Sequence, residues 1–64
     1  MTAEPFRVGD RVRVIRARHG WHDGAVSAVV TWCRQRPTGT WEYQVRDDAG
    51  TIYEVRHTRD LKRA

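Results

Sequence analysis

The sequence predicts an all-β fold: a small five-stranded barrel with a long first loop and a 3₁₀ turn before the last strand. Three observations carry this expectation. Apolar and polar residues alternate with a period of two almost throughout, not 3.6. Clusters of Gly, Pro and Asp punctuate the chain at short intervals. The 64 residues allow one domain, and a domain of this size buries only about 60% of the surface its unfolded chain exposes. Five short strands cannot bury both faces as an open sheet, whereas closure into a barrel removes the exposed edges.

Each element follows from its own residues. Residues 1–5 are polar and read as a flexible N-terminus, leaving residues 6–64 as the barrel. Gly9-Asp10 is a turn signal. After it, Val12 and Val14 alternate with Arg11 and Arg13, the pattern of a half-buried first strand. Residues 17–24 hold two glycines, His19, His22 and Trp21, and read as the long first loop. Residues 25–33 are small and β-branched, giving a second strand long enough to bend. Val29-Val30 breaks its alternation, and a bulge there would explain the break. Pro37 and Gly39 mark a hairpin loop over residues 34–40. Trp41, Tyr43 and Val45 alternate with Glu42, Gln44 and Arg46 in the third strand. Asp47-Asp48-Ala49-Gly50 is a tight turn, with Gly50 free to take positive φ. Thr51, Tyr53 and Val55 alternate with Ile52, Glu54 and Arg56 in the fourth. Residues 57–61 are too short and polar for a helix and suit one 3₁₀ turn that lets Leu61 plug the barrel end. The expected core is Val12, Val14, Val26, Val30, Tyr43, Val45, Tyr53, Val55 and Leu61, with Phe6 capping one end.

Composition bounds the function. No stretch approaches the roughly 18 apolar residues of a membrane helix, and residues 1–5 do not read as a signal peptide. Cys33 is the single cysteine, so no internal disulfide can form, which fits a reducing cytoplasm. So thin a stability margin makes oligomerisation a natural supplement. Net charge is +4, and Lys62 is the one lysine among twelve basic residues. Arg presents a planar fork to phosphate and carboxylate alike, so the charge suits a partner rich in either. An arginine-rich codon usage, or solvated strand faces with Arg–Glu pairs, accounts for the same composition without any partner.

Catalytic chemistry finds little to work with. A nucleophilic Cys33 needs a nearby base and a lowered pKa, and no spacing places His19, His22 or His57 beside it. A small half-buried thiol is the simpler reading. His19 and His22 with Asp23 lack the second ligand pair that zinc modules show, so no metal is expected. No Gly-rich loop with its Lys cradles a phosphate.

Binding remains, and the arginines and aromatics say where. Arg11, Arg13, Arg16 and Arg18 form a basic stripe leading into Trp21 and His22, which Arg34 and Arg36 extend from the hairpin loop. Trp21 is either a lid folded on the barrel or an exposed contact. Trp41 flanks the same groove, and Trp32, beside Cys33, reads as structural. On nucleic acid, the arginines would meet phosphates while Trp21 or Trp41 stacks on a base. On protein, the same groups would receive an acidic or proline-containing segment.

The phrase Val8-Gly9-Asp10-Arg11-Val12-Arg13-Val14, a glycine-bracketed loop, and then Gly24-Ala25-Val26-Ser27-Ala28-Val29 resemble the opening of small SH3-like barrels, KOW-type and Tudor-like modules among them. That resemblance implies binding to RNA, to ribosomal or polymerase surfaces, or to peptides. A second resemblance spans residues 6–63. Phe6-Arg7-Val8-Gly9-Asp10-Arg11-Val12-Arg13, Trp21 with Gly24, Trp32-Cys33, Tyr43, Val45, and Gly50 with Ile52-Tyr53-Glu54-Val55 are similar to the trimethoprim-insensitive type II dihydrofolate reductases. Those are SH3-like barrels whose four copies form one active-site pore. The likeness implies Ile52 and Tyr53 as pore residues, NADPH as cofactor and a homotetramer. The family's Val-Gln-Ile-Tyr motif is Gly50-Thr51-Ile52-Tyr53 here, and its pore Lys falls on Val14. The scaffold is kept while the amide and the cation that hold folate and NADPH are not. A binding module is therefore expected, without a cofactor.

Overall fold

The computed structural model describes residues 5–64. The expected flexible N-terminus lies, but for Pro5, outside the described residues. Five antiparallel strands form one sheet: β1 Arg11–Ala17, β2 Gly20–Gln35, β3 Trp41–Asp47, β4 Ile52–Val55 and β5 Leu61–Arg63. Their order is β4-β3-β2-β1-β5. A 3₁₀ turn, Thr58–Asp60, precedes β5 as expected.

The spine is β2. Its first half pairs with β1, as in Val14↔Val26 and Val12↔Ala28. Its second half pairs with β3, as in Val30↔Val45 and Cys33↔Tyr43. One strand can serve both halves only by bending. A bulge at Thr31, where the register shifts between Val30 and Trp32, supplies the bend. Upstream, Ala28 and Val30 keep strict alternation into the core. The bulge expected at Val29-Val30 is thus displaced to Thr31. The sheet curls far enough that the Arg18 N–H donates to the Glu54 carbonyl, 2.9 Å away. That bond joins the end of β1 to β4, two strands that are not ladder neighbours, and makes the fold barrel-like.

The long first loop is corrected to a hairpin. β1 and β2 run on to Ala17↔Gly20, leaving Arg18-His19 as the turn. Gly20 there has φ 124°, a region L side chains avoid. The irregularity sits deeper, between Arg16↔Trp21 and Val14↔Val26, where β2 spends four residues against Ile15 alone. Asp23 Oδ1 accepts the Ala25 N–H there at 3.0 Å. Glycines and polar residues therefore mark an interrupted ladder, which reads as a loop in sequence.

Among the described residues ten apolar ones are buried: Phe6, Val12, Val14, Ala17, Ala28, Val30, Tyr43, Val45, Val55 and Leu61. Val26 and Tyr53, expected inside, pack against this cluster half-buried. Ala17 and Ala28 were not expected, since alanine carries little hydrophobic signal. Tyr43 is the largest buried side chain; its hydroxyl pairs with Thr58 Oγ1 at 2.8 Å and ties the 3₁₀ turn to β3. Its ring meets Phe6 edge-on at 6.1 Å. Tyr43→Ala removes roughly 3–5 kcal/mol by analogy with Phe→Ala. A domain of this size has roughly 3–10 kcal/mol in all, so that change alone would come close to unfolding it.

Candidate functional site

The period of two that buries Val12 and Val14 turns Arg11 and Arg13 outward. The irregularity at Ile15 resets the phase, so Arg16 is again exposed and Ala17 buried. Register then decides what stands beside each arginine. Arg13 lies between Ser27 of β2 and Lys62 of β5. Arg11 lies opposite Val29, which in turn faces Arg46 of β3. Arg16 lies opposite Trp21, with its guanidinium 5.2 Å from the ring centroid. Trp21 is 74% exposed. It stands in solvent, not folded onto the barrel as a lid.

Negative charge on this face is sparse. Arg11 reaches Asp48 at 3.6 Å, both side chains largely in solvent, and Ser27 Oγ at 3.3 Å. Such an exposed pair contributes little. Arg13 and Lys62 have no ion-pair partner among the described residues. Like charges directly opposite on neighbouring strands are destabilising, so this pair carries an unfavourable term that no ion pair among the described residues offsets.

The remaining expected site residues fall elsewhere. Arg18 is clamped on Glu54 by a 2.8 Å ion pair. Arg34 and Arg36 close on Glu42 from two sides, at 2.7 and 3.0 Å. Burial would raise the Glu42 pKa, but the bonds from Arg36 and Arg34 outweigh it and hold the carboxyl below its ordinary value. The Arg18 bond holds Glu54 low in the same way. Trp41 is half-buried against the core and does not join Trp21. His22 is half-buried too, its ring edge-on to Tyr53 at 5.2 Å. Its Nε2 is buried without a hydrogen-bond partner among the described residues. The basic stripe is therefore split: Arg11 and Arg13 stand outward on β1 before the irregularity, and Arg16 faces Trp21 beyond it.

Two residues of this face escaped the sequence reading. Lys62 and Ser27 flank Arg13 only through pairings across β5–β1 and β1–β2, which no local pattern announces. Trp32, expected to be structural, is 41% exposed, with Arg34 at 5.8 Å from its ring. The Thr31 bulge flips the strand phase, so Cys33 turns inward and Trp32 outward.

The residues tied to other chemistry are dispersed. Ile52 is 48% exposed on β4. The Tyr53 hydroxyl donates to Asp47 Oδ2 at 2.9 Å. That bond to a carboxylate, joined by burial, pushes the phenol pKa up. Asp47 itself is held low, chiefly by the Thr51 N–H at 2.8 Å. No three His, Cys, Asp or Glu side chains converge among the described residues, and none of the described helices is long and apolar enough to cross a membrane. Comparison of the chain with family models, with curated proteins and with solved structures finds no match.

Proposed function

We propose that the chain is a non-enzymatic SH3-like barrel that binds nucleic acid through the outer face of β5, β1 and β2. Arg11, Arg13 and Lys62 contact phosphates, and Trp21, backed by Arg16, stacks on a base. The SH3-like assignment is supported by the strand order β4-β3-β2-β1-β5 and the 3₁₀ turn before β5. The observation that carries the functional reading is the Arg13↔Lys62 pair, without an ion-pair partner among the described residues, two positions from Arg11 on a strand whose far end sets Arg16 opposite an exposed Trp21. A polyanion supplies the charge this pair lacks. The contacts are to backbone and π-face, so the binding is weakly sequence-selective and strongly salt-dependent.

The test is a titration of labelled single-stranded DNA, duplex DNA and RNA at about 50 and 200 mM salt, with Trp fluorescence recorded in parallel. Micromolar binding that weakens steeply with salt and quenches fluorescence is expected. Absence of binding at the lower salt, together with salt-tolerant capture of an acidic peptide, would replace this reading with a protein-interaction module on the same face.

A further inference from the structure

A cleft of about 340 Å³ opens where the end of β1 meets the β4–β5 connection. It is lined by Arg16, Arg18, Arg56, Arg59, His57 and Asp60. Both walls are fixed by backbone. On one side the Arg18 N–H donates to the Glu54 carbonyl at 2.9 Å. On the other, the Asp60 N–H donates to the His57 carbonyl at 3.0 Å. The turn carrying Arg59 is further anchored by Tyr43, whose hydroxyl pairs with Thr58 at 2.8 Å. Four arginines therefore line one cleft although like charges repel; the Arg16 guanidinium also meets the Trp21 ring and that of Arg18 also meets Glu54, while Arg56 and Arg59 complete the lining.

The charges do not cancel internally. Asp60 lines the cleft, and Glu54 engages Arg18 at 2.8 Å. Four guanidiniums against two carboxylates leave a surplus of two positive charges. A neighbouring cleft shows the alternative: there Arg18, Arg36 and Arg56 share the lining with both Glu42 and Glu54. Arg is the side chain whose planar fork matches phosphate with two parallel hydrogen bonds. A phosphate monoester carries about −1.5 to −2 at neutral pH, which matches the surplus.

We infer that the cleft between the end of β1 and the 3₁₀ turn binds a compact dianionic phosphate group, held by Arg16, Arg56 and Arg59. The site is separate from the β1 face but adjoins it, since Arg16 both lines the cleft and lies beneath Trp21. Two sources present this chemistry: the terminal phosphate of a nucleic-acid strand, and a free phosphate compound.

Inorganic pyrophosphate is the first probe, titrated calorimetrically into the full chain at low salt. Saturable binding is expected, weakened at least tenfold in Arg56→Ala/Arg59→Ala and unchanged in Arg11→Ala/Arg13→Ala. Arg59→Ala alone, at an exposed position, keeps the test valid if the double variant does not fold. A second arm compares oligonucleotides bearing a 5′-phosphate with the same strands ending in hydroxyl. Preference for the phosphorylated strand, lost in Arg59→Ala, assigns the site to strand ends; equal binding with pyrophosphate still retained assigns it to a free compound. Absence of pyrophosphate binding, or equal loss in both double variants, overturns the inference. If neither oligonucleotide binds while pyrophosphate does, the nucleic-acid reading falls and the cleft stands.

Discussion

Arg11, Arg13 and Arg16 differ from Arg18, Arg34 and Arg36 in what the sheet sets beside them. The second group is matched to acceptors: Glu54 for Arg18, and Glu42 for Arg34 and Arg36. The first group has a lysine, a serine, a tryptophan and two aspartates, Asp48 in an exposed 3.6 Å pair with Arg11 and Asp60 across the cleft that Arg16 lines. All six are the same residue type on strands or their ends. A basic residue beside a carboxylate stabilises the fold and is largely neutralised toward a polyanion. One beside another cation costs stability and keeps its field. Counting arginines therefore does not locate a binding surface, whereas cross-strand register does.

The largest effect should come from reversing the first group. Arg11→Glu/Arg13→Glu is expected to weaken oligonucleotide binding by two orders of magnitude or so at low salt and to flatten its salt dependence. Retained binding would show that the comparison misplaces the site. Trp21→Ala should weaken binding by about 1–3 kcal/mol for the one base it stacks and abolish most of the fluorescence quench. Its melting temperature should hardly move, because the ring is 74% exposed; a large drop would mean that Trp21 holds the fold together.

Lys62→Glu sharpens the contrast, since it turns the like-charged Arg13 pair into an opposite one. Thermal denaturation should register a gain of about 0.2–1 kcal/mol, while oligonucleotide affinity falls. A loss of stability would show that the pair was not unfavourable.

The smallest effects concern the neutralised group. Glu42, Glu54 and Asp47 are all held below their ordinary values. A carboxylate with a depressed native pKa stabilises the fold fully above its unfolded value, 4.5 for Glu, and this is lost as pH falls through the native one. Melting temperature should fall on acidification below about pH 5, and Glu42→Gln should make that fall shallower. The same variant should leave oligonucleotide affinity within about twofold, because Arg34 and Arg36 lie beyond the β2 bulge. A tenfold gain would reveal a second surface masked by Glu42, and the contrast between the two groups would weaken.

Much of this was legible from local pattern. The alternation of Val12 and Val14 with Arg11 and Arg13, and of Tyr43 and Val45 with Glu42 and Gln44, placed two strands and four of the ten buried apolar residues among those described. The Asp47–Gly50 turn and the 3₁₀ turn before Leu61 were legible from turn chemistry, since Asp and Gly satisfy a tight turn by short-range bonds. The first hairpin was not. Its glycines and polar residues signal irregular backbone equally well in a loop and in an interrupted ladder, and only the partner strand distinguishes them. Trp32 was misread because a bulge moves every later residue to the other face, and a bulge has no composition of its own.

The sequence by itself determined the all-β class, the outward-facing Arg11 and Arg13, and the burial of Val12, Val14, Val30, Val45 and Val55, because these depend on a period of two that neighbours in the chain express directly. Only the tertiary structure decided which arginines are neutralised, that Lys62 stands opposite Arg13, that Trp21 projects into solvent, and that Arg16, Arg18, Arg56 and Arg59 share one cleft. Those facts depend on register, on bulges and on the curl that brings Arg18 to Glu54. They join residues as many as 49 positions apart, Arg13 to Lys62, and the physical reason they escape a linear reading is that the pairing energy resides in the contact and not in either segment.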